Sequence, residues 1–183
     1  MKEFRVDLHL HTCLSPCGSL EMSPQRIVET ALERGLDAIA VTDHNSTLQC
    51  PEILALGEER GLMVFAGAEV TTREEAHCVA LFADDRARAA FQMYLERRTF
   101  DMGRNEQPAQ TMHHCGNLFH TPVEGRLLAA HAYLKHYTVY SASDAHDPGQ
   151  IGTKYSLLRA DLLDFEHLAM AFRKENGHTI VTA

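Results

Sequence analysis

The stretch Val6-Asp7-Leu8-His9-Leu10-His11-Thr12 combines apolar residues that favour a buried strand with two histidines placed two residues apart. In an extended chain successive side chains point to opposite faces, so positions two apart share a face. We therefore expect His9 and His11 to point the same way, while Leu8 and Leu10 turn into the packing. Two imidazoles about 7 Å apart at the end of a strand can both reach one divalent cation. The pair alone indicates little, and its interpretation as a metal site depends on similar residues elsewhere in the chain.

Histidine, aspartate and glutamate recur where further predicted strands end or begin. These residues are Asp43 and His44 after strand 38–42, Glu69 after strand 63–68, His77 at the start of strand 77–82, and Asp144 and His146 after strand 138–142. In barrels and open parallel sheets the strand ends face one common rim, and functional residues collect there. A mixed set of imidazoles and carboxylates suits zinc, manganese or iron and is typical of a catalytic metal site.

Strands and helices alternate along the first half of the chain. Ser23-Pro24 supplies an N-cap residue and a proline suited to a first helical turn, and Gly35 is placed to end that helix. Further helices are predicted over 51–60, 84–98, 124–135 and 163–176, short strands near 117–120, 155–158 and 179–181, and a loop over 99–116. Repeated units of this length favour a parallel α/β sheet or barrel with helices outside. The 183 residues predict one domain spanning 1–183.

Charge and cysteine content narrow the classes of partner and location. The formal net charge is −8, and such a field repels a phosphate backbone, so we expect no extended nucleic-acid binding. Five cysteines without a recognisable secretory signal favour reduced thiols. The sequence contains no apolar run long enough to span a bilayer. We expect a cytoplasmic protein without a membrane partner, and its oligomeric state stays open.

Four motifs together resemble the signature of the PHP family, the polymerase and histidinol phosphatase superfamily. The motifs are Asp-Leu-His-Leu-His-Thr at 7–12, Thr-Asp-His-Asn at 42–45, Glu69 with His77 downstream, and Ser-Asp-Ala-His at 143–146 followed by Ile151-Gly152. They occur in the family's order and span nearly the whole chain. The resemblance implies a distorted seven-stranded β/α barrel, similar to a TIM barrel, with three metal ions at its C-terminal rim and phosphoester hydrolysis as its reaction.

The resemblance also implies a ligand set for each metal. The implied ligands are His9, His11 and Asp144 for the first metal, the bridging Glu69 together with His77 for the second, and His44 and His146 for the third. Glu69 and Asp144 are the expected catalytic residues. Asp7 is expected to orient a histidine from outside the ligand shell, and Asp43 is either a supporting residue of the same kind or a structural turn residue.

Two positions depart from the family pattern. Cys17 lies where many members place a histidine of the third metal, and it is either a thiolate ligand, which suits zinc, or an ordinary buried thiol. In the middle of the chain, residues 99–116 are shorter than the family's insertion, and His120 precedes Pro122 where the family has its histidine after a proline. His120 is therefore a candidate ligand of the second metal, and we expect the barrel to be abbreviated at this point.

The leading interpretation is a metal-dependent phosphoesterase that cleaves a small phosphorylated molecule with a metal-activated water. It would hold two or three divalent ions per chain, with zinc, manganese or iron as the candidates. One alternative is a metal-binding domain of the same fold that has lost turnover and serves as a scaffold or regulatory module. Another keeps the metals but cleaves an amide. The motifs do not separate a phosphate monoester from a diester.

Overall fold

The computed structural model describes residues 1–72, 77–101 and 138–183, with the backbone alone for 98–101. Within these ranges the strands are β1 (Lys2–Leu10), β2 (Ala38–Val41), β3 (Met63–Thr71), β4 (His77–Leu81), β5 (Ser156–Ala160) and β6 (Thr179–Thr182). The helices are α1 (Pro24–Glu33), α2 (Cys50–Arg60), α3 (Asp85–Asp101) and α4 (Phe165–Arg173), and a short 3-10 helix covers Pro148–Gln150. None of the described helices has the length and apolar character needed to cross a lipid bilayer.

The strands form one mixed sheet in the order β4-β3-β2-β1-β5-β6. β1, β2 and β3 are parallel, and α1 and α2 connect them. β4 pairs antiparallel with β3, β5 with β1, and β6 with β5. The predicted parallel arrangement therefore holds for the three central strands only. For β4 the reason is the short connection between Thr71 and His77, since a parallel crossover needs a dozen residues or more.

Seven strands are expected from the family, whereas the described residues contain six. Residues 138–142 are predicted as a strand but form none. The hydroxyl of Ser156 accepts from the Ser141 N–H and donates to the Ser141 carbonyl, both at 2.7 Å, so these backbone groups are not available to a neighbouring strand. The predicted loop over 99–116 begins later than expected, since α3 continues to Asp101. The predicted strand 117–120 and helix 124–135 lie outside the described residues.

Apolar clusters cover both faces of the sheet. On one face Ile39 of β2 packs with Ile27 of α1 and Ile53 of α2, and on the other Phe65 of β3 packs with Leu168 of α4. Burial of both faces is what central parallel strands require. The polar side chains of β3, Glu69 and Thr71, lie at its carboxyl end, where the loops meet.

Candidate metal centre

The end of β1 carries two histidines whose rings are brought together by irregular strand pairing. Between Asp7 and Leu10, β1 contains one residue more than the β2 segment it pairs with, and an extra residue of this kind re-aims the side chains around it. Leu8 and Leu10 are both buried, as predicted, but pack in different apolar clusters. The Nε2 atoms of His9 and His11 lie 3.2 Å apart.

The ends of β2 and β3 add His44 and Glu69 to this pair. A parallel bridge joins the two residues, and the N–H of Asn45 donates to the Glu69 carbonyl at 2.9 Å. The Glu69 residue is only 5% exposed. Its Oε2 lies 3.2 Å from Nε2 of both His9 and His11, and 3.3 Å from Nδ1 of His44.

The antiparallel pairing of β4 places His77 on the other side of the same carboxylate. His77 begins β4 and pairs with Thr71 at the end of β3, so its side chain reaches back toward Glu69. The Nδ1 atom of His77 lies 2.8 Å from Oε1 of Glu69. The two oxygens of Glu69 therefore face different imidazoles.

Asp144 is held against the end of β1 by the backbone. Its N–H donates to the His9 carbonyl and the His11 N–H donates to the Ala145 carbonyl, both at 2.9 Å. Oδ1 of Asp144 lies 3.1 Å from Nε2 of His11 and 3.3 Å from Nε2 of His9. The φ angle of Asp144 is 54°, a left-handed conformation that costs free energy for most residues and is concentrated at functional sites.

Asp7 holds the segment around Asp144 through hydrogen bonds to its backbone. It is fully buried, and its carboxylate accepts the N–H groups of Ser143 and Gly152, each at 2.9 Å. Burial raises its pKa above the usual range, while these hydrogen bonds lower it in part. One of these partners, Ser143, directly precedes Asp144, so Asp7 helps to place Asp144.

Cys17 enters the centre from a tight turn between β1 and α1. The Ser15 N–H donates to the Thr12 carbonyl at 3.1 Å and the Gly18 N–H to the Ser15 carbonyl at 3.0 Å. A Cβ at Gly18 would lie 2.2 Å from the Thr12 carbonyl oxygen, so glycine is required for this close approach. The turn brings the Cys17 thiol within 4.8 Å of imidazole nitrogens of His11, His44 and His146.

Three groups of side chains in the described part of the chain are compact enough to hold a metal ion. The ligand atoms of each group lie within 4.8 Å of one another, and the groups are His9, His11, Glu69 and Asp144; His44, Glu69 and His77; and His11, Cys17, His44 and His146. The buried Nε2 atom of His146 has no hydrogen-bond partner among the described residues, which is costly unless a cation takes that place. Imidazoles, carboxylates and a thiol in this arrangement fit divalent transition ions.

The charges of the cluster are coupled. Burial lowers the pKa of His11, but hydrogen bonds to Asp144 and Glu69 raise it further, to about 9. Burial and the positive charge of His11 lower the pKa of His44 to about 4 and also depress that of His146. Burial raises the pKa of Glu69, but hydrogen bonds from the histidines hold it well below its usual range. Near neutral pH, His44 and His146 are therefore uncharged, while His11 carries a proton that a metal ion would replace.

Ser15 was not identified from the sequence, and Asp43 had two possible roles. Asp43 is 1% exposed and accepts the Thr12 N–H at 2.7 Å, the Thr12 hydroxyl at 2.7 Å and the Ser15 hydroxyl at 2.8 Å. The Ser15 oxygen lies 3.0 Å from Nδ1 of His11. Asp43 is therefore a supporting residue of the centre. Ser15 lies in a turn, so no periodicity marks it, and its position four residues after His11 was the only available signal.

The structure brings together eight of the nine ligands predicted from the sequence. They are His9, His11, Cys17, His44, Glu69, His77, Asp144 and His146. His120 lies outside the described residues, so its role as a ligand stays a prediction.

Two relatives match about half of the chain. The PolC-type DNA polymerase III of Oceanobacillus iheyensis is 34% identical over 82 residues, which are 45% of this chain and 6% of the polymerase. An uncharacterized protein of Methanocaldococcus jannaschii is 32% identical over 90 residues, which are 44% of this chain and 52% of that protein. The matched segments thus cover only a part of these relatives.

Similarity to a solved structure extends over the whole fold. The lesion-specific endonuclease Q from Pyrococcus furiosus superposes with a TM-score of 0.71 at 16% identity, over 98% of this chain and 58% of the endonuclease. At that identity the likeness concerns the fold. A second structure of endonuclease Q, in complex with a 27-mer duplex that carries an abasic lesion, gives the same TM-score.

These findings correct the expected partners. From the net charge of −8 we expected no extended nucleic-acid binding, and from the motifs a small phosphorylated substrate as the partner. This expectation about partners is wrong. Endonuclease Q, which is similar to this chain in fold, has been solved in complex with a duplex substrate, and the PolC-type relatives are DNA polymerases. The inference failed because the net charge averages over the whole surface, whereas binding depends on the potential at one site.

A PHP domain model matches residues 7–174, far more than half of the chain. Members of this family are metal-dependent hydrolases, among them phosphoesterases and nucleases, and PHP domains bind divalent metals. The match confirms the resemblance carried by the four motifs. The chain belongs to the PHP domain family.

Proposed function

We propose that the chain hydrolyses phosphoesters at a centre of two or three divalent ions, with zinc, manganese or iron as the candidates. The observation that carries this proposal is the overlap of the donor groups: Glu69, His11 and His44 each belong to two of the three groups. Shared ligands keep bound ions only a few ångströms apart. That spacing is typical of sites that bind both the attacking and the leaving oxygen of a phosphoryl transfer.

Glu69 is the proposed bridge between two ions. Its Oε1 faces His77 at 2.8 Å, whereas its Oε2 faces His9 and His11 at 3.2 Å. Asp144 is the proposed second anionic ligand, because its Oδ1 lies 3.1 Å from Nε2 of His11. Divalent ions held by these residues would lower the pKa of water and neutralise the charge of a phosphoryl group.

Differences in burial indicate from which side a substrate reaches the centre. His9, His11 and Glu69 are buried. Cys17, His44 and His146 are partly exposed. The group that contains Cys17 is therefore the side from which a phosphoryl group reaches the ions. The proposal sets no limit on the size of the alcohol, so phosphodiesters of DNA belong in the substrate set beside phosphomonoesters.

Metal content and turnover measured on one preparation test the proposal. We expect two or three equivalents of metal by elemental analysis, and hydrolysis of a phosphomonoester or a DNA substrate that a chelator abolishes. His44→Ala should lose metal and activity. His167→Ala is the matched control, because His167 is buried to a similar degree, pairs with Asp164 and belongs to none of the donor groups.

Three outcomes are informative. Less than one equivalent of metal, even after reconstitution with zinc or manganese, would contradict the proposal. A metal-loaded protein that is inert toward the whole phosphoester panel would favour a scaffold or regulatory domain. Hydrolysis of amides alone would indicate that the metals serve a different bond.

A further inference from the structure

A chain of buried hydrogen bonds leads from Asp43 through Ser15 to the ring of His11. The Ser15 oxygen lies 2.8 Å from Oδ1 of Asp43, 3.0 Å from Nδ1 of His11 and 3.2 Å from the backbone nitrogen of His44. Ser15 is 3% exposed and Asp43 is 1% exposed. The serine hydroxyl can act both as donor and as acceptor, and it lies between the carboxylate of Asp43 and the ring of His11.

The direction of each hydrogen bond follows from groups that can only donate or only accept. The Thr12 N–H can only donate, so Oδ1 of Asp43, 2.7 Å away, accepts it. A carboxylate has no hydrogen to give, so the Ser15 hydroxyl donates to the same oxygen. The backbone N–H of His44 donates to Ser15. Because the single hydroxyl hydrogen is already used, Ser15 accepts from His11, which must carry a hydrogen on Nδ1.

This direction decides which atom of His11 is available to a metal. A neutral imidazole has one nitrogen with a hydrogen and one with a free lone pair. With the hydrogen on Nδ1, the lone pair is on Nε2, which lies 3.1 Å from Oδ1 of Asp144 and 3.2 Å from Oε2 of Glu69. One lone pair binds one ion, so His11 cannot be a ligand in both of the donor groups that contain it.

We propose that Ser15, held by Asp43, is a positioning residue that keeps the hydrogen of His11 on Nδ1 and so assigns His11 to the metal ion beside Glu69. The group that contains Cys17 is then left with three ligands. Three protein ligands and an open position are typical of a catalytic ion. This inference rests on the proposed function, because the ligand sets are those of the proposed centre.

Nitrogen NMR of the imidazole rings in the zinc-loaded protein reads the position of the hydrogen directly. We expect a hydrogen on Nδ1 of His11 in the unmodified chain. Ser15→Ala should release that constraint and weaken zinc binding about 10-fold to 100-fold, the range found when a hydrogen-bond partner of a metal-binding histidine is removed. Asp43→Asn should keep the hydrogen on Nδ1, because the amide oxygen must still face the Thr12 N–H.

Ser23→Ala is the matched control for a lost serine. Its hydroxyl caps α1 by accepting the Arg26 N–H, so the change should lower the melting temperature without altering zinc affinity. Zinc bound to Nδ1 of His11 would overturn the inference. So would a Ser15→Ala variant with unchanged tautomer and unchanged zinc affinity.

The two proposals fail in distinguishable ways. If the unmodified chain binds no zinc, manganese or iron, the proposed function fails, but nitrogen NMR of the metal-free protein still shows whether Nδ1 of His11, 3.0 Å from the Ser15 oxygen, carries a hydrogen. A hydrogen on Nδ1 there supports the positioning role of Ser15. A His11 ring without a hydrogen on Nδ1 overturns it.

Discussion

Replacing Asp144 by asparagine removes one negative charge from the centre at almost constant volume. Oδ1 of Asp144 lies 3.1 Å from Nε2 of His11 and 3.3 Å from Nε2 of His9. A neutral amide oxygen is a poor metal ligand beside two imidazoles, and the amide nitrogen carries no free lone pair for a metal. We expect phosphoester hydrolysis to slow at least about 100-fold, which corresponds to about 2.7 kcal/mol of activation free energy.

The backbone of Asp144 makes asparagine the right substitution. Its φ of 54° is tolerated by asparagine and disfavoured for alanine. Both Asp144→Asn and Asp144→Ala lose the carboxylate, but the alanine variant should lose about 1 kcal/mol more stability in the metal-free protein because of the left-handed backbone. Thermal unfolding of the two variants thus separates the backbone cost from the loss of charge.

The assay is the initial rate of hydrolysis, with metal content determined on the same sample. Asp164→Asn is the control, since this carboxylate caps α4 by accepting the His167 N–H and belongs to none of the donor groups. The control should keep the rate and the metal content. An Asp144→Asn variant with the full rate and full metal content would refute the ligand role and point to a contaminating activity.

Three further changes probe other parts of the centre. Cys17→Ser should lower the metal content by about one equivalent by elemental analysis while the metal-free protein keeps its melting temperature, because serine is a poor zinc ligand of similar size. An unchanged content would show that Cys17 is a partly exposed thiol and not a ligand. Zinc affinity, measured by competition with an indicator, should rise with pH up to about 9, because zinc must displace the proton that His11 holds with a raised pKa; a flat profile would contradict that raised pKa. Gly18→Ala should lower the free energy of unfolding, measured with denaturant, by about 1 to 3 kcal/mol, since its Cβ would lie 2.2 Å from the Thr12 carbonyl oxygen. Gly149→Ala is the control and should lower it little, because its Cβ meets only a side-chain oxygen, at 3.1 Å.

The placement of ligands at strand ends was predictable because it depends on short-range pattern. Apolar runs followed by His44 and Glu69 predict strands whose carboxyl ends meet, and β2 and β3 are parallel neighbours as expected. His77 was found for a different reason. It opens a strand, and only the antiparallel pairing with β3 carries it to the same edge, which the sequence pattern does not specify.

Other features depend on contacts between distant residues and leave no local pattern. The missing strand at 138–142 is explained by the hydroxyl of Ser156, fifteen residues beyond Ser141. The Ser15 oxygen meets Asp43 from a turn 28 residues away. In each case a side chain forms a hydrogen bond with a residue far away in the sequence, and the periodicity of the sequence does not indicate such a contact.

The expectation about nucleic acid failed because the charge that a phosphoryl group meets is not the net charge of the chain. The exposed acids of α2, such as Glu58 and Glu59, contribute to the total of −8 but belong to none of the donor groups. At the centre the anionic donors are Glu69 and Asp144, joined by Cys17 if it binds a metal as a thiolate, and two divalent ions would outweigh them. Because ion pairs on the surface are screened within about 10 Å at moderate salt, a phosphoester at the strand ends would experience a positive centre even on an acidic protein. The sign of this local potential therefore depends on metal loading, which cannot be inferred from the composition of a chain.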